Sequence, residues 1–408
     1  MPGYRAGKTA HFFVLAAVVA AAGFLLTAAP SCRNDRPGRE TAKKGRPAPT
    51  TTRTGGASEN DPSWIVFHGT SDTSAGIALD ERTLLVADDE NNILRAYGVK
   101  GGKCIFRFDL TNFLGVAGKF PEVDIEGAAR IGNRVYWISS HGRNRDGKWR
   151  PNRCRFFATD IRTAPGGTSI RQTGRPYTKL AERLAADPAI RAACPEVAAS
   201  FHQGKLGGDD KRRLAPKAHG LNIEGLCASA DGNRLYIGLR NPLAGLRGAS
   251  GDRAIVIPLL NPAEIVEKSP EPRFGRPLLW NLGGRGIRDM VRSGHHRTTF
   301  VLAGPHGGKD GRFALYRWSG KAGEQPVFLQ KWDSRTPAWR PETIIAWPGS
   351  PGVLLLSDDG VVPVRVGGPA ECIDAKYYRS DGTTLNKHLR DENRKYFRAR
   401  WIVPKTDP

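Results

Sequence analysis

The sequence LNIEGLCASADGNRLYIGLRNP, residues 221–242, contains two short apolar runs separated by the polar turn ADGN. Apolar runs on both sides of a turn rich in Gly, Asn and Asp predict a β-hairpin. A carboxylate, Glu224, stands at the start of the first strand, where an unpaired buried charge is costly. A partial copy, VDIEGAARIGNRVYWISSHGRN at residues 123–144, carries Glu126 in the same place. The Glu-Gly pair therefore marks a repeated structural unit.

The hairpin unit occurs five times, and further apolar strands such as RCRFFATDI and RFALYRWSG follow most copies. Small antiparallel sheets that recur along a chain of this length predict a β-propeller, whose sheets surround a central channel. A sixth blade could be assembled from WIVFHG near Trp64 and RKYFRARWIV at residues 394–403. We predict an all-β propeller of five or six blades over residues 64–408, in which strands from both chain ends remove exposed edges. The five copies begin at Ser74, Ile125, Ile223, Ile287 and Pro341.

A helical insertion interrupts the repeats around residues 176–220. The segment YTKLAERLAADPAIRAACPEVAASF has helical spacing of its apolar residues, and Pro188 breaks it into two short helices. Two interpretations remain open for the insertion: a lid over a functional mouth of the channel, or a decoration between blades.

The N-terminal residues 1–31 predict an export signal, because Arg5 and Lys8 precede an apolar run that ends in small residues. The segment LTAAPSC resembles a bacterial lipobox, which would make Cys32 a lipidated N-terminus. Ordinary secretion and an uncleaved membrane anchor are the alternatives. We expect an exported protein of the periplasm or cell surface, held at the membrane as a lipoprotein.

Residues 32–63 are rich in Pro, Thr, Gly and charge and have no apolar periodicity, which predicts a disordered linker between membrane and propeller. One or two disulfides are expected in an exported chain. Sequence does not assign their pairing among Cys104, Cys154, Cys194, Cys227 and Cys372.

The formal net charge of +22 indicates either an arginine-rich surface or a polyanionic partner. Basic residues are scattered along the chain and no nucleic-acid motif is present, so we expect no specific nucleic-acid binding. Motifs for a zinc centre, a Gly-x-Ser-x-Gly nucleophile, a phosphate loop or a dinucleotide site are also missing. We expect a monomer whose partner is a protein, glycan or polyanion of the cell envelope.

The repeats resemble a bacterial family known as domain of unknown function 3616. The similarity runs from about Trp64 to Val403 through LNIEGLCASADGNRLYIGLRNPL, GIRDM, FALYRWSG and FRARWIV. It implies a propeller-like fold and no particular activity. A looser likeness connects the chain with esterase-like phytase and gluconolactonase-type propellers, but only the Glu-Gly pair matches their catalytic residues. The resemblance therefore assigns no catalytic residue.

The first strands of propeller blades begin near the channel axis, so acidic residues at their starts should meet at one mouth. We predict that this mouth holds a divalent cation, because clustered carboxylates repel one another and Ca²⁺ takes six to eight oxygen ligands. In the first copy of the repeat, Ser74 stands where the other four copies have an acidic residue. The predicted metal ligands are Glu126, Glu224, Asp289 and Glu342.

An alternative needs no cation, since each carboxylate could accept hydrogen bonds from the backbone of the next blade. Arg288 or Arg340 could also neutralise the acidic residues. Sequence leaves both explanations open.

Polar residues at the ends of the second strands should border the same mouth, because antiparallel pairing returns each strand to the start of its partner. In this set His141 is the candidate acid or base, and the arginines are candidate anion clamps. The set comprises Asp88, Asp89, Ser140, His141, Arg143, Arg240, Asn241, Asp358 and Asp359.

Two functions follow from these features. The first is a binding or scaffold module of the cell envelope, without catalysis. The alternative is a calcium-type metal-dependent hydrolase that acts on a phosphoester or lactone at the channel mouth. Propellers host both classes, so the fold does not choose between them.

Overall fold

A computed structural model describes residues 64–164, 167–245, 252–307, 311–333 and 339–405. The predicted signal segment 1–31, Cys32 and the predicted linker 32–63 lie outside the described residues. Within the described residues, every helix is too short or too polar to cross a membrane.

The chain forms antiparallel sheets in sequence order, as the repeats predict, and each sheet is called a blade here. The first described strand is β1 (Ile65–His68). Blade 1 contains β2 (Thr73–Ala78), β3 (Thr83–Asp88), β4 (Ile93–Gly98) and β6 (Phe106–Asp109), and the short β5 (Gly102–Lys103) precedes β6 in the chain. Blade 2 contains β7 (Ile125–Ile131), β8 (Arg134–Ser139), β9 (Phe156–Ala164) and β10 (Gly167–Tyr177). Blade 3 contains β11 (Asn222–Ala228), β12 (Leu235–Asn241), β13 (Ala254–Leu259) and β14 (Leu278–Trp280).

Blade 4 contains β15 (Gly286–Ser293), β16 (Thr298–Gly304), β17 (Arg312–Trp318) and β18 (Val327–Asp333). Blade 5 contains β19 (Pro341–Ala346), β20 (Val353–Ser357) and the last strand, β23 (Tyr396–Ile402). Between β20 and β23 the chain forms a separate two-stranded sheet of β21 (Pro363–Arg365) and β22 (Thr383–Leu385). The strand order of blade 5 is β19-β20-β23-β1-β5, so β1 and β5 join it from the N-terminal side of the chain.

The first and last described strands, β1 and β23, pair within blade 5 and form no separate sixth blade. β1 pairs antiparallel with β23, from Ile65 opposite Ala399 to His68 opposite Tyr396. β23 in turn pairs with β20. The segments WIVFHG and RKYFRARWIV therefore do pair with each other, as expected for closure by both ends, but they complete a blade that the repeat had already supplied. The described residues contain five sheets of four or five strands.

The fold is a β-propeller whose first strands form a closed ring. β2, β7, β11, β15 and β19 lie side by side in that order, and β19 returns to β2. Buried apolar side chains fill the space between successive blades, for example Trp137 and Phe157 against blade 1, and Trp280 against Trp318 between blades 3 and 4. Because these side chains alternate along each strand, one face of every sheet packs on one neighbour and the other face on the next.

Helices are short and lie in the connections. They are α1 (Thr111–Leu114), α2 (Leu180–Ala186), α3 (Pro188–Ala193), α4 (Pro195–Ser200), α5 (Gly208–Arg213) and α6 (Pro262–Lys268). The predicted insertion thus contains four short helices where the sequence predicted two. Pro188 ends α2 and opens α3, and the Asp187 carboxylate accepts hydrogen bonds from the backbone N–H groups of Ala189 and Ile190, both at 2.9 Å.

The five described cysteines form no disulfide. Cys154, Cys194, Cys227 and Cys372 are buried thiols, and Cys104 is half-buried. Burial raises the pKa of Cys154, Cys194 and Cys227 to about 12, so these thiols stay protonated. The disulfides expected of an exported chain are thus not found among the described cysteines.

Candidate functional site at the acidic end of the channel

A β-bulge occurs at the same place in every first strand. The pairing register shifts between Thr73 and Ala75, and equivalent shifts occur in the other four first strands. A bulge inserts one unpaired residue and redirects its side chain. We call the five inserted residues the bulge ring, and they are Ser74, Glu126, Glu224, Arg288 and Glu342.

The bulge ring differs from the predicted acidic set at one position. In blade 4 the residue that corresponds to Glu224 is Arg288, and Asp289 is the next residue along the strand. The buried Asp289 carboxylate accepts hydrogen bonds from the backbone N–H of Met290 at 2.7 Å and of Ile344 at 2.9 Å. Asp289 therefore links blade 4 to blade 5 through the backbone, and burial raises its pKa well above the ordinary value.

Arg288 connects two carboxylates of the bulge ring. Its guanidinium lies 3.1 Å from Glu224 Oε2 and forms an ion pair with Glu342. Glu224 Oε1 also accepts hydrogen bonds from Arg240 at 2.7 Å and from Asn222 at 2.8 Å. These buried charges compensate one another, as a buried ion pair requires. Glu342 remains the less compensated partner, since burial raises its pKa to about 7 although Arg288 opposes the shift.

Carboxylates also gather on the side of blades 1 and 2. Ligand atoms of Asp89, Asp124 and Glu126 all lie within 4.8 Å of one another, and so do those of Asp72, Asp89 and Glu90. We call these five residues the acidic cluster. Asp89 is common to both groups and lies just past the end of β3, while Glu126 is the bulge residue of β7. The ends of second strands and the starts of first strands meet here because Thr73 pairs with Asp88.

Two members of the acidic cluster, Asp89 and Glu126, have strongly raised pKa values although Arg153 acts on both of them. Asp89 Oδ1 is buried and accepts no hydrogen bond. Burial and the charges of Asp72 and Glu126 raise the pKa of Asp89 well above its ordinary value. Burial, Glu224 and Asp124 raise the pKa of Glu126 in the same way. Repulsion between desolvated carboxylates explains both shifts, and a cation would relieve it.

The other members have basic partners. Asp124 accepts a hydrogen bond from Arg153 at 2.8 Å, and Lys387 lies 2.5 Å from Glu90 and 3.9 Å from Asp72. The pKa of Asp72 nevertheless rises to about 7, chiefly through burial and then through the charge of Asp88.

Asp88 and Asp358, two predicted binding residues, border the acidic cluster. Asp88 accepts hydrogen bonds from the Thr70 hydroxyl and, at 2.8 Å, from the backbone N–H of Glu90. Asp358 accepts one from the backbone N–H of Gly360 at 2.9 Å. Burial raises the pKa of each carboxyl to about 6, and in Asp358 the charge of Asp72 adds to the shift.

Three other predicted binding residues hold loops at this end. Arg143 donates to the carbonyl oxygens of Gly147, His202 and Gly204 at 2.7 to 3.0 Å. Asn241 donates to the Pro216 carbonyl at 2.7 Å and to that of His306 at 3.0 Å, and Arg240 donates to the Pro305 carbonyl at 3.2 Å. These contacts fasten the helical insertion and neighbouring loops around the channel end, so the side chains have backbone partners before any ligand arrives.

His141 is buried, with 1% of its surface exposed, and has a left-handed backbone with φ of 54°. Its Nδ1–H donates to the Ser139 carbonyl at 2.8 Å, while Nε2 has no hydrogen-bond partner. Burial lowers its pKa to about 4, and Arg155 is the one charged group that adds to this shift. The buried ring is therefore neutral, with Nδ1–H bonded to the backbone and Nε2 without a partner.

Sequence reasoning missed Asp72, Asp124, Arg288 as a bulge residue, and Lys217. The signal for Asp124 was present in VDIEG, two residues before Glu126. Lys217 comes from the segment that follows α5, where no motif marks it. Its side chain is exposed, yet partial desolvation of the amino group, followed by the charge of Arg240, lowers its pKa.

The sequence matches one protein family. The family model, described as protein of unknown function DUF3616, covers residues 72–155 and 204–336, slightly more than half of the chain. The chain belongs to the DUF3616 family. The two matched regions of this DUF3616 protein contain the acidic cluster, Glu224 and Arg288. No curated protein matches the sequence.

Solved structures with a similar chain path include several enzymes. Glutaminyl cyclase of Myxococcus xanthus has 10% identity and a TM-score of 0.36, with 84% of this chain and 95% of that chain covered. A putative oxidoreductase (glucose dehydrogenase) of Thermus thermophilus has 14% identity and a TM-score of 0.37, with coverage of 83% and 100%. The PQQ-bound aldose sugar dehydrogenase of Streptomyces coelicolor has 12% identity and a TM-score of 0.34, with coverage of 84% and 99%. At this level of similarity they carry no argument about function.

Proposed function

We propose that this DUF3616 protein is an exported binding module of the cell envelope that holds a divalent, calcium-type cation in the acidic cluster. The observation that carries the proposal is the meeting of Asp89, Asp124 and Glu126, whose ligand atoms lie within 4.8 Å of one another. Asp89 Oδ1 is buried there without a hydrogen-bond donor.

The chemistry of the cluster suits a hard cation. Carboxylate oxygens are the ligands that Ca²⁺ prefers, and three of them leave coordination positions for water and for a bound ligand. Without a cation, Asp89 and Glu126 are held near other carboxylates at the cost of raised pKa values. A divalent cation would offset this repulsion and stabilise the folded protein by mass action.

The ligand that suits this end of the channel is an anion. Electrostatic interactions connect Lys217, Arg240 and Arg288 with Glu224, and the charge of Arg288 also acts on Glu126 of the acidic cluster. An anionic group bound to the cation could extend towards these basic side chains. The formal net charge of +22 adds a long-range attraction for polyanions. A sulfated or carboxylated glycan of the envelope has anionic groups that could bind the cation, and it is also a polyanion.

One observation favours the second candidate, a hydrolase of phosphoesters or lactones. Desolvation lowers the pKa of Lys217, which favours the neutral amino form that a general base needs. His141, the acid or base predicted from sequence, is instead buried, and its Nδ1–H is already bonded to the Ser139 carbonyl. The binding module therefore has the stronger support.

The cation is tested by thermal unfolding with and without CaCl₂. Saturation at 100 times Kd should stabilise the wild-type protein by about 2.7 kcal/mol and raise Tm. Asp89→Asn and Glu126→Gln should abolish the rise, whereas Glu264→Gln, an exposed substitution on α6, should retain it. A wild-type protein that shows no shift with any divalent cation, and that purifies without metal, would refute the proposal.

The ligand class is tested by binding to dextran sulfate, with neutral dextran as the matched control. Wild-type protein should bind dextran sulfate more tightly in CaCl₂ than in EDTA, and Glu126→Gln and Lys217→Gln should each weaken the binding measured in CaCl₂. Binding that is equal in excess EDTA would contradict the cation-dependent mechanism. Calcium-dependent turnover of bis-(p-nitrophenyl) phosphate, lost in Lys217→Met, would instead establish the hydrolase.

Export and anchoring are tested separately. Labelled palmitate should enter the wild-type protein and not Cys32→Ser, and the wild-type protein should fractionate with membranes. A protein that stays in the cytoplasmic fraction would remove the envelope from the proposal and leave the cation site untouched.

A further inference from the structure

The opposite end of the channel contains a cavity of about 910 Å³. All five first strands contribute to its wall near their last residues. The apolar part of the wall includes Ile77, Ala128, Leu226, Met290, Ile345 and Trp347. Small-molecule sites in proteins are commonly apolar cavities of roughly 300–1,000 Å³ with a few polar groups that orient the ligand. The volume and the lining of this cavity fit that description.

Small side chains create the room at this end. Ala78, Ala128, Ala228 and Ala346 all line the cavity, and their small side chains leave its centre unfilled. Larger residues would close the end, as interiors are normally packed to high density.

Arg292 of the wall has a buried nitrogen that lacks a partner. It lies on β15, and its Nη1 is buried without a hydrogen-bond acceptor. Its guanidinium forms no ion pair in the described part of the chain. A buried N–H donor without an acceptor is costly and calls for an explanation. The second arginine of the wall is satisfied, because Arg130 donates to the carbonyl oxygens of Ala78 at 2.9 Å and of Leu79 and Gly132 at 2.8 Å.

Acidic residues of the wall do not satisfy Arg292. Asp80 and Glu81 lie on the blade 1 side of the cavity and are exposed. Asp80 accepts a hydrogen bond from the backbone N–H of Arg82 at 2.9 Å, and its charge acts on Arg130. Among the described residues, the wall therefore gives Arg292 no counter-charge.

We propose that this cavity binds a small amphipathic anion, with an apolar body against the ends of the first strands and a carboxylate or phosphate head on Arg292. A guanidinium forms strong, charge-assisted hydrogen bonds with either head group. This site is separate from the acidic cluster and uses none of its residues.

The proposal is tested with the full chain and 1-anilinonaphthalene-8-sulfonate as the fluorescent probe. Dodecanoate and dodecyl phosphate should displace the probe at one site per chain, and comparison of the two identifies the preferred head group. Arg292→Gln should weaken binding of the preferred anion by about tenfold or more, as expected for a hydrogen bond to a charged group. Binding of dodecanol, which lacks the charge, should be unchanged in the same variant.

Two further variants locate the site. Val291→Trp, at a half-buried position of the wall, should block both the anions and dodecanol, and Arg171→Gln on the outer strand β10 should change neither. Thermal unfolding with CaCl₂ shows whether each variant is folded. No saturable binding by the wild-type protein, or equal weakening by Arg171→Gln, would overturn the proposal. Retained anion affinity in a folded Arg292→Gln variant would overturn the role of Arg292.

Discussion

The two ends of the channel are made by the same five strands and differ in almost every property. At the acidic end each first strand carries a bulge, and charged side chains meet there in ion pairs or in the acidic cluster. At the apolar end the pairing is regular and small apolar residues leave a cavity. The difference shows that one extra residue at the start of a strand is enough to redirect a polar side chain while the rest of that strand packs normally.

Arginine illustrates the contrast within one strand. Arg288 and Arg292 both belong to β15, yet Arg288 is paired with two carboxylates and Arg292 with none of the described residues. Substitution of each arginine by Met therefore tests whether charge pairing stabilises the acidic end more than the apolar end.

Arg288→Met should produce the largest effect, a loss of about 3–5 kcal/mol in the free energy of unfolding. The substitution leaves Glu224 buried with only one cationic partner and Glu342 with no ion pair among the described residues. Arg292→Met should not destabilise the protein, since no ion pair is lost and a buried donor without an acceptor is removed. Urea unfolding of both variants makes the measurement.

A double variant separates loss of charge compensation from loss of packing. Glu342→Gln in the Arg288→Met background should recover part of the stability, because it removes a buried charge. Equal destabilisation by Arg288→Met and Arg292→Met would mean that the two ends do not differ as described.

The free energy of unfolding should vary with pH, and His141 at the acidic end should contribute to that variation. Its pKa falls from 6.5 to about 4 on folding, so the unfolded chain binds its proton first. Its contribution to stability is complete above about pH 6.5 and disappears as the pH falls to about 4, a difference of about 3 kcal/mol. The raised pKa values of Glu342 and Asp72 act in the opposite direction, since acidification lets the folded state bind protons first.

Urea unfolding between pH 7.5 and pH 4 should therefore differ between the wild-type protein and His141→Asn. Asn tolerates the left-handed backbone at this position. The variant should gain about 3 kcal/mol relative to wild type on acidification, because only the carboxylate contribution remains. Parallel pH profiles would show that His141 titrates normally in the folded protein.

Much of the architecture is predictable because its signals are local. Alternating apolar residues and turn residues identify every first hairpin and the helical insertion. Closure is not local, since β1 and β23 come from opposite ends of the chain, and sequence therefore left five and six blades open. The DUF3616 resemblance extends over the same repeats.

The site is less predictable because a bulge changes register without a sequence marker. In IRDM the acidic residue follows the bulge position, so matching by charge selected Asp289 where the pairing selects Arg288. Asp72 lies outside the strands, and its place beside Asp89 depends on contacts with distant segments such as the one that carries Lys387. The ligand role of the four carboxylates predicted from sequence stays a prediction, with Asp89 and Asp124 added to the set.

Packing around the bulges should be less tolerant than packing at the apolar end. A Cβ added at Gly127 would lie 2.9 Å from Ile138 Cγ2, 3.0 Å from Leu226 Cβ and 3.1 Å from the Glu224 carbonyl oxygen. Gly127→Ala should therefore cost about 1–3 kcal/mol. Ala346→Val, at a half-buried position of the cavity wall, should change stability by less than about 1 kcal/mol. Equal costs in thermal unfolding would show that the channel is packed alike at both ends.

The smallest expected change in the free energy of unfolding is that of Asp89→Asn in the acidic cluster. Whether this variant is more or less stable than the wild-type protein should depend on calcium. In EDTA, Asp89→Asn should raise the free energy of unfolding by about 1 kcal/mol, because it removes a carboxylate that burial and its neighbours already disfavour. Glu81→Gln, an exposed change at the apolar end, should alter stability by less than about 0.5 kcal/mol. In saturating CaCl₂ the wild-type protein should gain stability and Asp89→Asn should not, which reverses their order in paired unfolding curves. An order that stays the same in both buffers would mean that the repulsion at Asp89 is relieved by something other than a bound cation.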